Sequence, residues 1–419
     1  MSTDFDAGQV NKFDAGAAMM SVEQALDLLA QRVVPQRRVE ELPLAQCLGR
    51  VLAEDVVSPL NVPPHDNSAM DGYAFTAAHL PADGRLRRIG RSAAGHPFPG
   101  VVGPGECIRI LTGAVVPASV DCVAMQEDCT VDGDFVIVGN RPQSGANCRK
   151  AGEDVAQGAV VLKSGTRLRP QEVGLAAAVG RARLAVHAPL RAAVFSTGDE
   201  INMPGTVLPP GGIYDSNRTT ACGLLQSIGV QVTDLGILPD DRATIVAALD
   251  KAAADHDVIL TSGGVSVGDE DHVKAAVESL GSLHFWRLAI KPGKPVALGD
   301  IRGATFIGLP GNPVAVMVVF LLLARPLLLR LMGAADTLPA TIPVRADFSF
   351  RHKPGRREWL RARLVERDGQ LWAEKFASES SGVLSSMVWA DGLVAVPEEC
   401  GDVAPGDVLQ YLSFAEALR

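Results

Sequence analysis

The spacing of apolar residues changes several times along the chain, and each spacing predicts a different kind of structure. Apolar side chains recur at helical spacing near the N-terminus, at Val22, Ala25, Leu26, Leu29 and Val33. Ser21 and Gln24 form a capping-box pattern in front of them, so we predict a helix that begins after Ser21. Residues 1–18 are polar and rich in glycine and alanine, which predicts a flexible tail.

Residues 50–165 contain short apolar runs separated by glycine and proline turns, a pattern typical of short strands. We interpret this part of the chain as one or two small β-rich domains. A helical pattern at 171–180 closes the region.

From 190 to 332, strand patterns alternate with helical patterns, which predicts βαβ units and a mostly parallel sheet covered on both faces. The predicted strands are 191–196, 230–238, 257–261 and 304–309, and the predicted helices lie near 216–228, 241–254, 270–280 and 313–331. Short strands return at 338–419 and predict a small β-barrel-like domain. The fold class that we predict is therefore multidomain, with one α/β domain and several β-rich domains.

Composition and charge exclude several functional classes. The 419 residues carry a formal net charge of −9, so we expect no general basic surface for nucleic acid. None of the seven cysteines forms a C-x-x-C pair and the histidines are scattered, so we expect neither a disulfide framework nor a zinc site. The acidic N-terminus predicts no signal peptide. The longest apolar run, 314–324, is shorter than the roughly 20 residues that span a bilayer, so we expect a cytoplasmic protein without a membrane partner.

Charged and glycine-rich segments collect at the carboxyl ends of the four predicted parallel strands, where ligands of such sheets bind. In strand order these segments are Asp199–Glu200, Asp240–Asp241, SGGVSVGDED (262–271) and GLPGNP (308–313). Backbone N–H groups at a helix start bind phosphate. The candidate phosphate donors are Ser262, Gly263, Gly264 and Ser266.

A proline-stiffened turn, KPGKP (291–295), brings Lys291 and Lys294 to the same edge, where ammonium groups suit an oxyanion. Acids beside a phosphate repel it unless a divalent cation lies between them, and Mg²⁺ is held by one or two carboxylates plus phosphate oxygens. Taken singly, each feature has an ordinary explanation as a turn or a helix cap. Their convergence on one sheet edge favours a site for a phosphorylated ligand and Mg²⁺.

Nine short motifs occur in an order that resembles one known family. They are DNSAMDGYA (66–74), TGAVVP (112–117), MQED (125–128), GEDV (152–155), STGDE (196–200), IYDSN (213–217), SGGVSVGDED (262–271), KPGKP (291–295) and GLPGNP (308–313). The ordered set resembles the molybdopterin molybdenumtransferase family, kin to the E domain of gephyrin. The resemblance extends from about residue 20 to the C-terminus.

The resemblance implies a fold of four parts and an elongated homodimer. The implied parts are a discontinuous linker domain (19–60 and 141–188), an inserted β-rich domain (61–140), a molybdopterin-binding α/β/α domain (189–332) and a C-terminal β domain (338–419). The active site of the family lies between the α/β domain of one subunit and the β-rich part of the other. The implied reaction uses adenylated molybdopterin, molybdate and Mg²⁺ and releases AMP, with a molybdopterin adenylyltransferase as a further expected partner.

Carried over position by position, the resemblance implies roles for individual residues. The implied catalytic residues are Asp71, Thr112, Asp154, Glu200, Asp240 and Asp271, and the implied metal ligands among them are Glu200, Asp240 and Asp271. The predicted substrate-binding residues are the loop donors Ser262, Gly263, Gly264 and Ser266, together with Arg287, Lys291, Lys294, Pro310, Pro313, Arg361 and Ser381. Arg287 stands where the family often has lysine, and guanidinium geometry differs from that of ammonium.

Two other functions stay open from the sequence. A molybdopterin adenylyltransferase shares the α/β domain and an SGG loop, but as a separate protein it lacks the β-rich sequence at 50–165 and 338–419. A non-catalytic scaffold that binds molybdopterin or a partner protein is the second alternative. A pure binder has no need of the five acids Asp71, Asp154, Glu200, Asp240 and Asp271.

Overall fold

The computed structural model describes residues 19–263 and 272–418, apart from the side chain of Phe285, so the predicted tail at 1–18 lies outside the described residues. Helix α1 (Val22–Arg32) forms as predicted. Its capping box has Gln24 N donating to Ser21 Oγ at 3.1 Å and Ser21 N donating to Gln24 Oε1 at 3.0 Å. Its buried face packs into the same apolar core as the α/β region.

The N-terminal half consists of short strands around one helix, α2 (Pro170–Ala178). In chain order the strands are β1 (Val39–Pro43), β2 (Val56–Val57), β3 (Asn67–Ser68), β4 (Gly72–Phe75), β5 (Arg85–Ser92), β6 (Glu106–Ile110), β7 (Cys122–Met125), β8 (Cys129–Asp132), β9 (Phe135–Val138), β10 (Cys148–Arg149), β11 (Val160–Leu162) and β12 (Arg183–His187). Short 3-10 turns lie at Leu44–Gln46, Ala77–His79 and Gln126–Asp128.

Pairing divides these strands into two units. β1 pairs with β12 and β2 with β11, so one unit is built from two separated stretches of chain. Between them, six strands form a sheet in the order β7-β4-β6-β5-β9-β8 with an apolar cluster on each face. The β-rich character predicted for this half is confirmed.

The α/β region contains the strands β13 (Arg191–Thr197), β14 (Ile201–Asn202), β15 (Ile213–Tyr214), β16 (Gln231–Leu238), β17 (Val258–Ser262), β18 (Gly281–Arg287), β19 (Ile290–Lys291), β20 (Pro295–Ile301) and β21 (Ala304–Leu309). Its helices are α3 (Ser216–Ser227), α4 (Arg242–Asp255), α5 (His272–Leu280), α6 (Pro313–Val319) and α7 (Arg325–Leu331). The main sheet has the order β16-β13-β17-β21-β20-β18, with its first four strands parallel, so the mostly parallel sheet is confirmed.

The antiparallel strands β18 and β20 were not among the four that the sequence predicts. For β20, Pro295 belongs to the KPGKP segment, which the sequence predicts as a turn, and Gly299 weakens the strand pattern that follows, because both residue types are depleted in strands. The structure shows why glycine is needed at 299. A Cβ there would lie 2.3 Å from the carbonyl oxygen of Ser282 on β18, so only glycine permits the close approach of the two strands.

Helices cover both faces of the sheet. Successive side chains of a strand point to opposite faces, and the central strands β13, β17 and β21 are buried along almost their whole length, so both faces must be covered. Val194 and Leu260 face α3 and α6. Phe195 and Ile259 point the other way, towards α4 and α5. Both faces of the sheet are therefore buried in apolar clusters, and polar side chains reach solvent at the ends of the strands.

Helices α6 and α7 are joined by a π-helical segment, Phe320–Ala324, into one continuous helix. The apolar run counted from the sequence ended at Ala324, but the helix continues through Arg325 to Leu331. Within the described residues it is the one helix long and apolar enough to cross a membrane, with a mean hydropathy of 2.3. The argument that the apolar segment is too short to span a bilayer was therefore wrong. Because 83% of its apolar window is buried, it is a core helix here.

The C-terminal region is a closed barrel of β22 (Ile342–Ala346), β23 (Arg357–Arg367), β24 (Gln370–Lys375), β25 (Gly392–Val396) and β26 (Val408–Ser413), with short helices α8 (Ser385–Trp389) and α9 (Phe414–Ala417). The additional pairing of β23 with β25 closes it, which confirms the predicted barrel-like domain. Strand β19 of the α/β region pairs in parallel with β23, so the KPGKP segment is joined to the barrel.

Candidate active site

Two predicted acids lie at the ends of the neighbouring parallel strands β13 and β16. Thr197, the buried last residue of β13, donates a hydrogen bond from Oγ1 to Asp240 Oδ1 at 3.3 Å. Glu200 follows three residues after Thr197, and both Glu200 and Asp240 are exposed. The sheet therefore presents two solvent-facing carboxylates on adjacent strand ends.

Glycine at 198 lets the Glu200 carboxylate fold back over the end of β13. Gly198 has a φ of +136°, and a Cβ there would lie 2.8 Å from Glu200 Oε2. Residues with a side chain disfavour this φ and would also push the carboxylate away. Gly198 of the STGDE motif therefore leaves room for the Glu200 carboxylate beside the end of β13.

The SGG loop is held against the GLPGNP loop by its first two residues. Ser262 is buried, and its Oγ donates to the carbonyl oxygen of Pro310 at 3.1 Å. Gly263 N donates to the carbonyl oxygen of Leu309 at 3.2 Å. These donors, predicted to face phosphate, therefore join the two loops. Gly264, Ser266 and Asp271 lie outside the described residues, and their roles stay predictions.

The IYDSN motif positions the GLPGNP loop from the other side. Asp215 caps α3 by accepting from Arg218 N at 3.1 Å, and Asn217 Nδ2 donates to the carbonyl oxygen of Gly311 at 2.6 Å. Asn312 and Pro313 occupy the N-cap and first-turn positions of α6, as the sequence predicts. The start of one helix thus anchors the loop that leads into the next.

A cleft of about 510 Å³ opens beside these loops. Its described lining includes Gly263, Lys291, Pro310, Asn312, Arg356, Glu379 and Ser381. Four of these, Gly263, Lys291, Pro310 and Ser381, are predicted substrate-binding residues. The cleft therefore combines the carboxyl edge of the sheet with a loop of the C-terminal barrel.

The lysines of the KPGKP turn occupy different positions. Lys291 lines the cleft, and its Nζ lies 3.0 Å from Glu358 Oε2, a buried carboxylate of the barrel. Arg287, Lys294 and Pro313 are each next to a cleft segment but are not among its described lining residues. Lys291 is therefore the predicted cation that reaches the cleft.

Arg361 supports the barrel loop that carries Ser381. It is buried, and its guanidinium donates to Ser386 Oγ at 3.1 Å and to the carbonyl oxygen of Ser378 at 2.6 Å. Burial lowers the pKa of Arg361, because desolvation disfavours the charged form. The carbonyl oxygen of Ser381 accepts from Val314 N at 3.1 Å, which ties the loop to α6. Arg361 thus lies beneath the cleft wall, among residues different from those that line the cleft.

Three motifs of the N-terminal half converge in a second cluster. Thr112 donates from its backbone N and from Oγ1 to Asp71 Oδ1, each at 2.7 Å. These hydrogen bonds hold the pKa of Asp71 below its usual range, because they stabilise the carboxylate. Asp66 accepts from Ala151 N at 2.8 Å, which brings the GEDV turn and the exposed Asp154 to the same region. The structure therefore brings Thr112 into contact with Asp71, whereas Asp154 lies on the turn that the Asp66 contact joins to the same motif.

The second cluster and the cleft are separate within one chain. Among the described residues, no member of the N-terminal half lines the cleft. Glu200 and Asp240 are not among its described lining residues either. The predicted catalytic residues that the structure describes therefore fall into two groups outside the cleft lining. Asp71, Thr112 and Asp154 lie in the N-terminal half, and Glu200 and Asp240 lie at the α/β sheet edge.

Three family models match consecutive parts of the chain. They are the MoeA N-terminal region (domain I and II) at 20–180, a probable molybdopterin binding domain at 193–330, and the MoeA C-terminal region (domain IV) at 343–414. A molybdopterin molybdenumtransferase of Haemophilus influenzae is 37% identical over 96% of this chain and 100% of its own. The chain belongs to the molybdopterin molybdenumtransferase family. It is therefore a transferase of molybdenum cofactor biosynthesis.

Further relatives of this transferase agree over nearly the whole length. Molybdopterin molybdenumtransferase 2 of Mycobacterium tuberculosis is 35% identical over 94% of this chain and 99% of its own. A crystal structure of the molybdopterin biosynthesis moeA protein of Pyrococcus horikoshii OT3 has a TM-score of 0.82 and 28% identity, covering 94% and 100% of the two chains. The multidomain α/β and β fold is confirmed by this likeness.

Several residues of the transferase cleft were missed from the sequence. Arg356 and Glu379 line it, and Glu358 lies behind Lys291. They sit on the barrel, where short strands and turns provide no motif that points to the α/β edge. Asn217 lies inside the quoted IYDSN motif, and its polar side chain at a helix start was the available signal.

The donor set of the transferase fits a magnesium ion. No group of three His, Cys, Asp or Glu residues within 19–263 and 272–418 forms a metal cage. Mg²⁺, however, is commonly held by one or two carboxylates together with phosphate oxygens and water. The exposed carboxylates of Glu200 and Asp240 at adjacent strand ends meet that requirement.

Proposed function

We propose that this transferase inserts molybdate into adenylated molybdopterin and releases AMP. The observation that carries the proposal is the cleft, in which Lys291 and Ser381 face Gly263 and the GLPGNP loop. The ammonium of Lys291, the guanidinium of Arg356 and the hydroxyl of Ser381 lie in one cleft, and together they suit a tetrahedral oxyanion. The glycine-rich edge beside it leaves room for the backbone to approach a phosphorylated substrate.

The acids of the sheet edge are proposed to serve the pyrophosphate end of the substrate. Glu200 and Asp240, with Asp271 as a third predicted ligand, would hold Mg²⁺. When bound, this ion supplies positive charge beside the linkage that breaks as AMP leaves. Gly198 and Thr197 keep the two described carboxylates at adjacent strand ends. In this proposal the residues of the chain bind and orient the substrate. The cleft binds molybdate, and the acids of the sheet edge serve the nucleotide end.

We infer that the complete site forms in a homodimer. Asp71 and Thr112 are in contact at the ends of strands of the inserted sheet, and neither they nor Asp154 line the cleft within one chain. A two-fold partner can supply them, because a symmetric dimer places the same pair of surfaces together twice. The two groups of predicted catalytic residues would then meet across the subunit boundary.

The assay that tests the reaction measures AMP release from adenylated molybdopterin by the purified protein. We expect release to require Mg²⁺ and to be stimulated by molybdate, and we expect no adenylate to form from molybdopterin and ATP. Release that ignores molybdate would contradict the insertion reaction. Formation of the adenylate from ATP would favour the adenylyltransferase, and tight binding without turnover would favour the scaffold.

Mixing two inactive variants tests the shared site. Asp71→Ala removes a residue of one proposed half and Glu200→Ala one of the other. If each site combines both subunits, randomly mixed dimers should recover about a quarter of the wild-type rate, because half of them contain one intact site of two. A mixture that stays inactive, although subunit exchange is shown by mass spectrometry, would place both residues in the same subunit's site.

We further propose that the chain works in the cytoplasm beside a molybdopterin adenylyltransferase that supplies its substrate. All seven cysteines lie within the described ranges as free thiols, which suits a reducing compartment. Co-purification of the two enzymes from cytoplasmic extract, and transfer of the adenylate without release to solvent, are the measurements that check this arrangement.

A further inference from the structure

Lys291 has two carboxylate neighbours that differ in distance and exposure. Its Nζ lies 3.0 Å from Glu358 Oε2 and 4.0 Å from Glu379 Oε2. The side chain of Glu358 is 8% exposed, whereas that of Glu379 is 49% exposed. One carboxylate is therefore a buried partner at hydrogen-bond distance, and the other is a solvated neighbour at the limit of an ion pair.

Glu358 is fixed by the strand pairing that joins the barrel to the α/β region. β19 and β23 run parallel, and Lys291 pairs with Glu358 across them. A buried carboxylate that loses its cation is strongly destabilised. The Lys291 ammonium should therefore stay beside Glu358 whether or not the cleft holds a ligand.

Glu379 is held much more loosely, between two lysines. Its Oε1 lies 3.8 Å from Lys375 Nζ, and its Oε2 lies 4.0 Å from Lys291 Nζ. Exposed pairs of this kind contribute little to stability. Glu379 lines the cleft together with Lys291, so an oxyanion that binds the Lys291 ammonium there must compete with this carboxylate. Lys375 offers it a second partner if it leaves Lys291.

We propose that Glu379 is a displaceable carboxylate that occupies the Lys291 ammonium until an oxyanion replaces it, and that Glu358 is the positioning residue that keeps Lys291 in the cleft during this exchange. The inference rests on the proposed function, because it takes molybdate as the oxyanion. The barrel loop then does more than close the cleft. It supplies an internal competitor that lowers the affinity for the oxyanion.

The test is calorimetric titration of the full-length protein with molybdate at fixed ionic strength. Glu379→Gln should lower the Kd for molybdate about two- to fivefold, the range expected when a weak exposed ion pair no longer competes. Glu374→Gln is the matched control, because Glu374 is an exposed carboxylate of the same barrel that pairs with Arg363 at 3.0 Å and does not line the cleft. The control should leave the Kd within about twofold of wild type. An unchanged or raised Kd in Glu379→Gln would overturn the role of Glu379.

Reductive methylation of lysines, followed by peptide mass spectrometry, tests the positioning role. Lys291 should react faster in Glu358→Gln than in wild type, and Glu358→Asp should restore part of the protection. Glu398→Gln is the control, because it removes a neighbouring barrel carboxylate whose partner, Arg357 at 3.1 Å, is a different residue. Equal Lys291 reactivity in wild type and Glu358→Gln would overturn this role. Thermal melting of each variant shows whether it is folded.

The two measurements separate failure of the inference from failure of the proposed function. Molybdate should slow the methylation of Lys375 in wild type but not in Glu379→Gln, because the displaced carboxylate then moves to Lys375. Binding of molybdate without that change would overturn the displacement while leaving the proposed function intact. No binding of molybdate by any variant, with Lys291 still protected by Glu358, would overturn the proposed function and the role of Glu379 but not the positioning role.

Discussion

Thr112 donates two hydrogen bonds, one from its backbone N and one from its hydroxyl, to the same carboxylate oxygen of Asp71. The contact joins the DGYA turn to the TGA turn on the inserted sheet, and both residues come from motifs quoted from the sequence. Because both donors stabilise the charged form, the pKa of Asp71 is lowered and the carboxylate stays ionised under mildly acidic conditions.

Removing the Thr112 hydroxyl should raise the pKa of Asp71. In Thr112→Val one of the two donors is lost, so the pKa should move towards the ordinary value of about 3.9. A lowered carboxyl pKa contributes stability that is present above the unfolded-state pKa and is lost as pH falls through the folded-state pKa. The variant should therefore lose stability near neutral pH but not below both values. A carboxyl NMR titration checks the pKa, and Thr112→Ser, which keeps the hydroxyl, should behave like wild type.

Adding a methyl group at position 198 should disable the sheet edge. In Gly198→Ala the new Cβ would meet Glu200 Oε2 at 2.8 Å, so the carboxylate must move away. We expect AMP release to fall at least about tenfold and to need more Mg²⁺, since a misplaced catalytic group can lose about a hundredfold in rate. Gly205→Ala is the control, because Gly205 has a φ of +90° with nothing within 4 Å of its added Cβ. A similar loss in both variants would point to backbone strain instead.

Neighbouring aspartates at the end of β16 should respond differently to neutralisation. Asp240 accepts from Thr197 at the sheet edge, whereas Asp241 caps α4 by accepting from Thr244 N at 2.8 Å. Asp240→Asn should raise the Mg²⁺ concentration that gives half-maximal AMP release. Asp241→Asn should not, because asparagine is about as good a helix cap as aspartate. A Mg²⁺ titration of the rate compares the two, and equal curves would remove Asp240 from the metal ligands.

Replacing Arg361 should loosen the loop that carries Ser381. Arg361→Gln removes charge-assisted hydrogen bonds to Ser378 and Ser386 in a buried position, so the free energy of unfolding should fall by about 2–3 kcal/mol. Arg363→Gln alters an exposed residue of the same strand that pairs with Glu374 at 3.0 Å, and it should change stability by less than about 1 kcal/mol. Chemical denaturation measures both. A large loss in Arg363→Gln alone would reverse the assignment.

Much of the fold was predictable because its signals are local. The capping box of α1, the cap of α3 at Asp215 and the Asn312–Pro313 start of α6 are each set by residues within one helical turn, and the structure contains all three. The four parallel strands were also predicted correctly, because each is a short apolar run between two helical patterns. β20 was missed because Gly299 and Pro295 weaken its strand pattern locally. The close approach of Ser282 that makes glycine necessary is a contact between strands.

The candidate site also combines features that local sequence predicts with contacts that only the tertiary structure creates. By itself, the sequence determined which motifs carry acids, lysines and glycines. It also determined that these motifs lie at strand ends, because each motif directly follows an apolar strand pattern. Tertiary structure decided which of these side chains meet. It placed Lys291 beside Glu358 through the pairing of β19 with β23, put Arg361 beneath the loop rather than in the cleft, and left Asp71 and Glu200 outside the described cleft lining. The physical reason is that strand pairing and domain contact join residues far apart in sequence, and no local spacing encodes that distance.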